Sequence, residues 1–282
     1  MDSLPAGEVV QADEGDAYDT SRWFSLKGRV ALVTGAGRGI GAAIAVAFAS
    51  AGADVAIAAR TKDQLEQVAA RIEARGRRAL IFPGDVNQLD WLPTIIERTV
   101  AELGHLDVLV NNAGGSVSYP ILDTRVEHLV SGLHFNVLAP FELSRLAIPH
   151  LLERQGASII NISSTAWVNA PRASLVHGTT KGAIAQMTRL MANDLAPRVR
   201  VNAILPGAIE TASLAKWIKA LPAAARATMR ERIAMRRPGS PADIAAAALY
   251  LAAPASGWVT GELMRVDGMT LSEIVPKDVP DL

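Results

Sequence analysis

The stretch Val30-Ala31-Leu32-Val33-Thr34-Gly35-Ala36-Gly37-Arg38-Gly39-Ile40-Gly41 decides the fold of this chain. Residues 30–34 predict a buried strand, and glycines at 35, 37, 39 and 41 follow directly, before a helical pattern over residues 42–50. Glycine permits a tight turn and lets a phosphate approach the backbone N–H groups at a helix N-terminus, where the helix dipole favours negative charge. The stretch therefore predicts a strand, a phosphate-binding turn and a helix, which together begin a dinucleotide-binding domain.

Short apolar runs alternate with amphipathic stretches along the rest of the chain, and the amphipathic stretches have helical spacing. Repeated strand–helix units imply a parallel sheet, because each parallel crossover needs a covering helix. We predict an α/β fold with a Rossmann-type, doubly wound, seven-stranded parallel sheet, helices on both faces and a single domain. The predicted strands are Val30–Thr34, Val55–Ala59, Leu80–Phe82, Asp107–Val110, Ser158–Ile162, Val199–Ile204 and Leu263–Val266.

The pattern also predicts how the chain is divided. Residues 1–25 are expected to form a flexible acidic arm, residues 26–271 the folded domain and residues 272–282 an irregular tail. Residues 212–238 interrupt the alternation of strands and helices, and we interpret them as a helical lid over a substrate. A surface helical pair without ligand contact is the alternative.

Charge and composition exclude several functions. The 28 Lys and Arg residues balance the 28 Asp and Glu residues, so we expect no nucleic-acid partner. No apolar run is long enough to span a membrane, and residues 1–21 lack the basic residues of a secretory signal. We therefore expect a cytoplasmic protein with no membrane role. The chain has no cysteine, and no histidine spacing indicates a metal site.

The end of the second predicted strand indicates which cofactor binds. Proteins that prefer NAD usually place an Asp or Glu there for the ribose hydroxyls, whereas this chain has Arg60, with Lys62 beyond it and Arg38 in the glycine turn. Cations at this place suit a 2′-phosphate. The sequence favours NADP(H), with NAD(H) possible, and the alternative reading of Arg60 is an ordinary solvated loop residue.

Several ordered motifs between about residues 26 and 269 resemble the short-chain dehydrogenase/reductase family. The glycine turn resembles that family's Thr-Gly-x-x-x-Gly-x-Gly, Asp85-Val86 its adenine-facing pair, and Asn111-Asn112-Ala113-Gly114 the motif beside the central sheet. Pro206-Gly207 and Thr211 resemble the segment that packs on the nicotinamide. With Lys181, the resemblance implies these cofactor-binding residues: Gly35, Gly37, Arg38, Gly39, Ile40, Gly41, Arg60, Asp85, Val86, Asn112, Ala113, Gly114, Lys181, Pro206, Gly207 and Thr211.

The resemblance also implies hydride transfer between a nicotinamide and a carbonyl or alcohol carbon. The family uses an Asn, a Ser, a Tyr and a Lys, and Asn136, Ser164 and Lys181 match three of them. The family's Tyr lies four residues before its Lys, and this chain has His177 there. Tyr119, which follows the Asn-Asn-Ala-Gly motif, is another residue that could reach the site.

Three interpretations of His177 remain open at the level of sequence. Imidazole donates and accepts protons, and its ordinary pKa is nearer to neutrality than that of a phenol, so His177 could replace the Tyr. The second interpretation is a nucleotide-binding protein with impaired or lost catalysis. The third is a deliberate substitution of the catalytic residue.

We therefore predict an NADP(H)-dependent oxidoreductase that acts on the carbonyl or alcohol of an apolar small molecule. Four apolar residues of the predicted lid, Leu214, Trp217, Ile218 and Leu221, motivate the apolar substrate. By resemblance to the family alone, we also expect a homotetramer or homodimer.

Overall fold

The computed structural model describes residues 19–211, 214–215 and 222–270, without the side chains of residues 224–226. Within these ranges, seven parallel strands form one sheet in the order β3-β2-β1-β4-β5-β6-β7. All seven predicted strands are present, with ends that differ from the prediction by two residues at most. The strands are β1 Val30–Thr34, β2 Asp54–Ala59, β3 Ala79–Pro83, β4 Val108–Asn111, β5 Ala157–Ile162, β6 Val199–Pro206 and β7 Leu263–Val266.

Helices cover both faces of the sheet, as the buried strands require. The α-helices of the described ranges are α1 Thr20–Trp23, α2 Gly39–Ser50, α3 Lys62–Glu73, α4 Leu92–Leu103, α5 Val126–Leu133, α6 Ala139–Leu152, α7 Ala166–Asn169, α8 Leu175–Leu195, α9 Ala223–Glu231 and α10 Pro241–Ala252. A π-helical turn, His134–Leu138, joins α5 to α6. The predicted doubly wound fold in a single domain is confirmed.

Alternating residues of each strand enter two separate cores. In β1, Ala31 and Val33 join the core beneath α2, α3 and α10, whereas Val30 and Leu32 join the core beneath α4 and α6. This alternation follows from the two-residue period of a strand, and it explains why β1 is buried along its whole length.

The strand order places the site. After β3 the chain returns to the other side of β1 and forms β4, so the direction of winding reverses between β1 and β4. In open parallel sheets, ligands bind outside the carboxyl ends of the strands at this reversal. The turn after β1 and the loop after β4 border that crevice.

Parts of the predicted domain division fall outside the described residues. These parts are residues 1–18 of the arm, the whole tail, and Trp217, Ile218 and Leu221 of the lid. Within the described ranges, no helix has the length and apolar character needed to cross a membrane.

Candidate active site

The glycine turn after β1 is held by the loop after β4. The Asn112 side-chain amide donates to the backbone oxygens of Thr34 (2.8 Å) and Gly35 (3.2 Å). The hydroxyl of Thr34 accepts hydrogen bonds from the backbone N–H groups of Asn112 and Ala113, each at 3.0 Å. The two loops therefore form one hydrogen-bonded unit at the switch point.

Close contacts explain why this unit needs glycine. Gly35 has a φ of +63°, and a Cβ there would lie 2.8 Å from Asn112 Nδ2. A Cβ on Gly41 would lie 2.5 Å from both Asn112 Nδ2 and the Gly35 oxygen. A side chain at either position would therefore push the two loops apart. At Gly35 the backbone conformation is also one that other residues rarely adopt.

A cavity of about 610 Å³ runs along the carboxyl ends of the strands. Fifteen of the sixteen predicted cofactor residues line it, and Gly41 is the exception because it lies behind the turn. The N-terminus of α2 opens into the cavity without a side-chain cap, so its N–H groups are available to a phosphate. The residues present thus fit a dinucleotide.

Arg38 and Arg60 line the cavity where β1 and β2 end. Both positions lie on the side of the sheet where the adenosine half of a dinucleotide would bind in a Rossmann fold. Two polar residues that sequence analysis missed, Thr61 and Gln64, line the same part. The sequence could have indicated both residues, since Thr61 is the N-cap residue of α3 and Gln64 lies in the first turn of that helix.

Ser164, His177 and Lys181 line the other part of this cavity. Ser164 comes directly after β5 and Ser163, whereas His177 and Lys181 both lie on α8. Residues four apart in a helix share one face, so His177 and Lys181 point into the cavity together. The structure therefore brings together three of the four predicted catalytic residues.

Lys181 is buried at this end of the cavity. Its ammonium group donates to the Ile162 oxygen at 2.8 Å, and its own backbone oxygen accepts a hydrogen bond from the Ser163 hydroxyl at 2.7 Å. Burial lowers the pKa of Lys181 to about 8, because removal from water disfavours the charged ammonium. The ammonium group of Lys181 is therefore fixed in position, and its positive charge is lost as the pH rises through about 8.

His177 is neutral at physiological pH. Burial, and to a lesser extent the charge of Lys181, lowers the pKa of His177 to about 4. Its imidazole thus has one protonated and one unprotonated nitrogen at pH 7, a donor and an acceptor in one ring.

Comparison with known proteins assigns the family. Residues 35–269 match the family described as Enoyl-(Acyl carrier protein) reductase. A solved short-chain type dehydrogenase/reductase from Mycobacterium marinum superimposes with a TM-score of 0.81 at 34% identity, over 89% of this chain and 98% of that one. The chain belongs to the short-chain dehydrogenase/reductase family.

Curated relatives of this short-chain dehydrogenase/reductase include oxidoreductases. An uncharacterized oxidoreductase of Mycobacterium tuberculosis (strain CDC 1551 / Oshkosh) is 45% identical over 92% of this chain and 98% of the relative. The 7alpha-hydroxysteroid dehydrogenase of Escherichia coli (strain K12) is 35% identical over 88% and 96%. A solved 7alpha-hydroxysteroid dehydrogenase in complex with NADH and 7-oxo glycochenodeoxycholic acid has a TM-score of 0.84 at 34% identity, over 90% and 99%. The chain is thus an oxidoreductase of this family.

Asn136, the fourth predicted catalytic residue of this short-chain dehydrogenase/reductase, lies behind the cavity wall. It is fully buried in the π-helical turn. Its amide donates to the oxygens of Gly115 (3.0 Å) and Gly132 (2.9 Å), and its side-chain oxygen accepts from the Gly115 N–H at 2.8 Å. These contacts fix the loop that continues from Gly114 along the cavity.

Tyr119 lines a second cavity of the enzyme. Its ring stacks on that of His128, with the centroids 4.0 Å apart, and the cavity has a volume of about 900 Å³. Ser164, His177 and Lys181 line the first cavity and not the second. Tyr119 and these three predicted catalytic residues thus line different cavities, although Ala166 and Gly178 of the second cavity lie within two residues of Ser164 and His177.

The segment after β6 closes the first cavity from the remaining side. Pro206, Gly207 and Thr211 line it, and a Cβ on Gly39 would lie 3.3 Å from the Thr211 methyl group. Of the four apolar residues named for the predicted lid, Leu214 is the one within the described ranges, and it also lines this cavity.

Proposed function

We propose that this protein is an NADP(H)-dependent oxidoreductase that interconverts a carbonyl and an alcohol on an apolar small molecule. One observation carries the proposal: the glycine turn and the cluster of Ser164, His177 and Lys181 line the same cavity. A dinucleotide laid along that cavity would extend from the end of β2 to the end of β5, past the uncapped N-terminus of α2.

The preference for NADP(H) rests on charge. Arg38 and Arg60 line the adenosine side of the cavity, and no carboxylate lies at the end of β2 to bind ribose hydroxyls. A guanidinium donates two parallel hydrogen bonds to a phosphate, which a ribose hydroxyl cannot match. NADPH should therefore bind more tightly than NADH.

Four residues take the catalytic roles. Ser164 orients the substrate oxygen, His177 occupies the place of the family's Tyr and exchanges a proton with that oxygen, and Lys181 holds a positive charge beside them. Asn136 positions the loop at Gly115 through its three hydrogen bonds. The nicotinamide, when bound, supplies or accepts the hydride.

The apolar substrate is supported by the residues around this end of the cavity. Phe135, Ile209 and Leu214 line it. We assign residues 212–238 to a lid over this opening, at the edge of a folded domain of residues 26–271. Ketones, steroids and acyl chains all meet this description, because apolar side chains in a binding site favour a ligand with apolar surface.

Assembly into a homodimer or homotetramer completes the proposal. Exposed apolar side chains lie along neighbouring helices, Val126 and Val130 on α5 and Leu175 and Leu190 on α8, and they are between 46% and 74% exposed. Exposed apolar side chains on neighbouring helices are available to a protein interface. Sedimentation velocity of the full chain should give a mass of two or four copies.

A substrate panel tests the proposed function. Purified protein is given NADPH with ketones, aldehydes and 2-enoyl thioesters, alongside the His177→Tyr variant. We expect the wild type to reduce carbonyl carbon and to leave the enoyl double bond intact. If the wild type is inert and only His177→Tyr turns over, the chain binds nucleotide without efficient catalysis. Reduction of the enoyl compounds alone would contradict the proposed carbonyl chemistry.

A further inference from the structure

The second cavity is lined mostly by apolar residues and by a single charged one. Its volume of about 900 Å³ lies in the range of pockets that enclose a small organic molecule. Among the described residues that line it, Arg172 is the one that carries a charge. Large apolar side chains form much of the rest, together with three alanines: Tyr119, Pro120, Ile121, Trp167, Pro171 and Leu175.

The guanidinium of Arg172 has no carboxylate partner. Within the described ranges, no Asp or Glu lines this cavity and none forms an ion pair with Arg172. By contrast, Arg29 pairs with Asp107 at 2.9 Å. A guanidinium can donate two parallel hydrogen bonds to a carboxylate. The charge of the second cavity therefore complements a molecule with an apolar body and a carboxylate at one end.

The backbone on both sides of Arg172 has an unfavourable conformation. Ala170 has a φ of +44° and Ala173 a φ of +58°, and residues with a Cβ are strained in this left-handed region. Between them, the ring of Pro171 fixes its own φ. Backbone strain of this kind is concentrated at binding and catalytic sites, where the rest of the structure maintains it. The loop thus holds Arg172 at the edge of the cavity at the expense of local stability.

Other walls of the second cavity expose apolar surface. The ring of Tyr119 is held by its stack on His128, with an angle of 7° between the ring planes. Ile121 is 66% exposed and Trp167 is 36% exposed. Because exposed apolar side chains lose contact with water when a ligand covers them, a bound apolar molecule would be stabilised at this wall.

The second cavity borders the reacting end of the first. The Ser164 hydroxyl, which lines the first cavity, accepts a hydrogen bond at 3.1 Å from the N–H of Ala166, which lines the second. On α8, His177 lines the first cavity and Gly178 the second. A Cβ on Gly178 would lie 3.5 Å from the Ala166 oxygen, so α8 closely approaches the segment after β5 at the border of the two cavities.

We propose that the second cavity binds the distal part of the substrate and that Arg172 selects substrates whose apolar body ends in a carboxylate. This inference rests on the proposed carbonyl/alcohol chemistry. The reacting carbonyl lies at Ser164 and His177, the apolar body passes Ala166 and packs against Trp167, and the carboxylate pairs with Arg172. The substrate class is thus an apolar oxo acid, and the product is the corresponding hydroxy acid.

Pairs of charged and neutral ketones test this selection. The probes are phenyl ketones that end in a carboxylate, from benzoylbutyric to benzoyldecanoic acid, each measured beside its primary amide with NADPH. At the best chain length we expect kcat/KM for the acid to exceed that for the amide by about tenfold. This is the lower end of what a hydrogen bond to a charged group contributes, because Arg172 is exposed. The difference should lie mostly in KM, since Arg172 contacts the end of the substrate that does not react.

Arg172→Gln should abolish the preference for the acid. We expect kcat/KM for the acid to fall about tenfold and that for the amide to change less than about twofold. Arg172→Lys should keep part of the preference, because it retains the charge but not the two parallel hydrogen bonds. The matched control is Arg189→Gln, an exposed position on α8 that lines neither cavity, and it should keep the full preference.

A larger side chain at Gly182 tests whether the apolar body occupies the second cavity. Gly182 lines this cavity, and a Cβ there would lie 3.6 Å from Trp167 Cβ, which is an ordinary contact. Gly182→Ala should therefore resemble wild type. Gly182→Leu should raise KM by about tenfold for acid and amide alike, because its side chain displaces the substrate from apolar surface.

Binding of the best acid, measured by calorimetry on protein saturated with NADP⁺, separates the selection from the chemistry. We expect its Kd to weaken about tenfold in Arg172→Gln. Equal kcat/KM for acids and amides, or an acid preference that persists in Arg172→Gln, would overturn the role of Arg172 and leave the carbonyl chemistry standing. Acid binding that depends on Arg172, without reduction of any ketone, would support the site and overturn the proposed function.

Discussion

The two ends of the cavity are built by different means. The phosphate end is made of backbone, where Gly35, Gly41 and Asn112 are in mutual contact and the uncapped N-terminus of α2 faces the cavity. The reacting end is made of side chains, His177 and Lys181 on α8 and Ser164 after β5. Because close backbone packing tolerates almost no substitution, the phosphate end can be identified from its glycine motif in the sequence. A side-chain cluster tolerates His where the family has Tyr, so its chemistry depends on burial and charge.

Gly35→Ala should disrupt the phosphate end of the cavity and cause the largest loss of NADPH affinity. The added Cβ would lie 2.8 Å from Asn112 Nδ2 at a φ of +63°, so the glycine turn must move. We expect a loss of about 100-fold in NADPH affinity, or about 2.8 kcal/mol, by isothermal titration calorimetry. Gly76→Ala is the matched control, because Gly76 has a φ of +69° but no atom within 4 Å of its Cβ position. Equal losses of NADPH affinity in the two variants would contradict the close-packing argument.

Arg60→Asp should weaken cofactor binding on the adenosine side of the cavity alone. Removal of the guanidinium, and repulsion by the new carboxylate, should weaken NADPH binding by about 30-fold and change NADH binding less than about threefold, since hydrogen bonds to charged groups contribute about 1.5–3 kcal/mol. Arg71→Asp, at an exposed position on α3, provides the control. The NADP(H) assignment is wrong if wild-type protein binds both dinucleotides equally.

The fold could be predicted almost completely because its signals are local. The apolar run of β1, the glycine turn and the spacing of the later strands each depend on neighbouring residues, and all seven strands were located.

The candidate site was harder to predict from the sequence. The effect of Lys181 on His177 follows from their spacing of one helical turn, but burial, the larger cause of the low pKa of His177, depends on packing that spacing does not reveal. Thr61 and Gln64 were missed because only charged residues were considered beside Arg60. The three hydrogen bonds of Asn136 required the π-helical turn.

The backbone also limits which residues fit in the turn after β7, where Met269 lies. Met269 adopts a φ of +54°, and it is 68% exposed. A residue with a Cβ is strained in the left-handed region, so Met269→Gly should stabilise the fold by about 1 kcal/mol in urea unfolding. As a contrast, Gly268→Ala should destabilise it, since its Cβ would lie 2.9 Å from Ile233. An unchanged or lower stability of Met269→Gly would show that the turn is not strained.

The central claim is that nucleotide binding and chemistry belong to separate ends of one cavity, with the chemistry carried by His177. The most direct test is a paired measurement of the NADPH Kd and the kcat for ketone reduction in wild type and His177→Ala. We predict a Kd within about twofold of wild type and a kcat lower by about 100-fold or more, because a positioned acid/base group contributes about that much. An unchanged kcat, or a Kd that weakens in step with kcat, would contradict the claim.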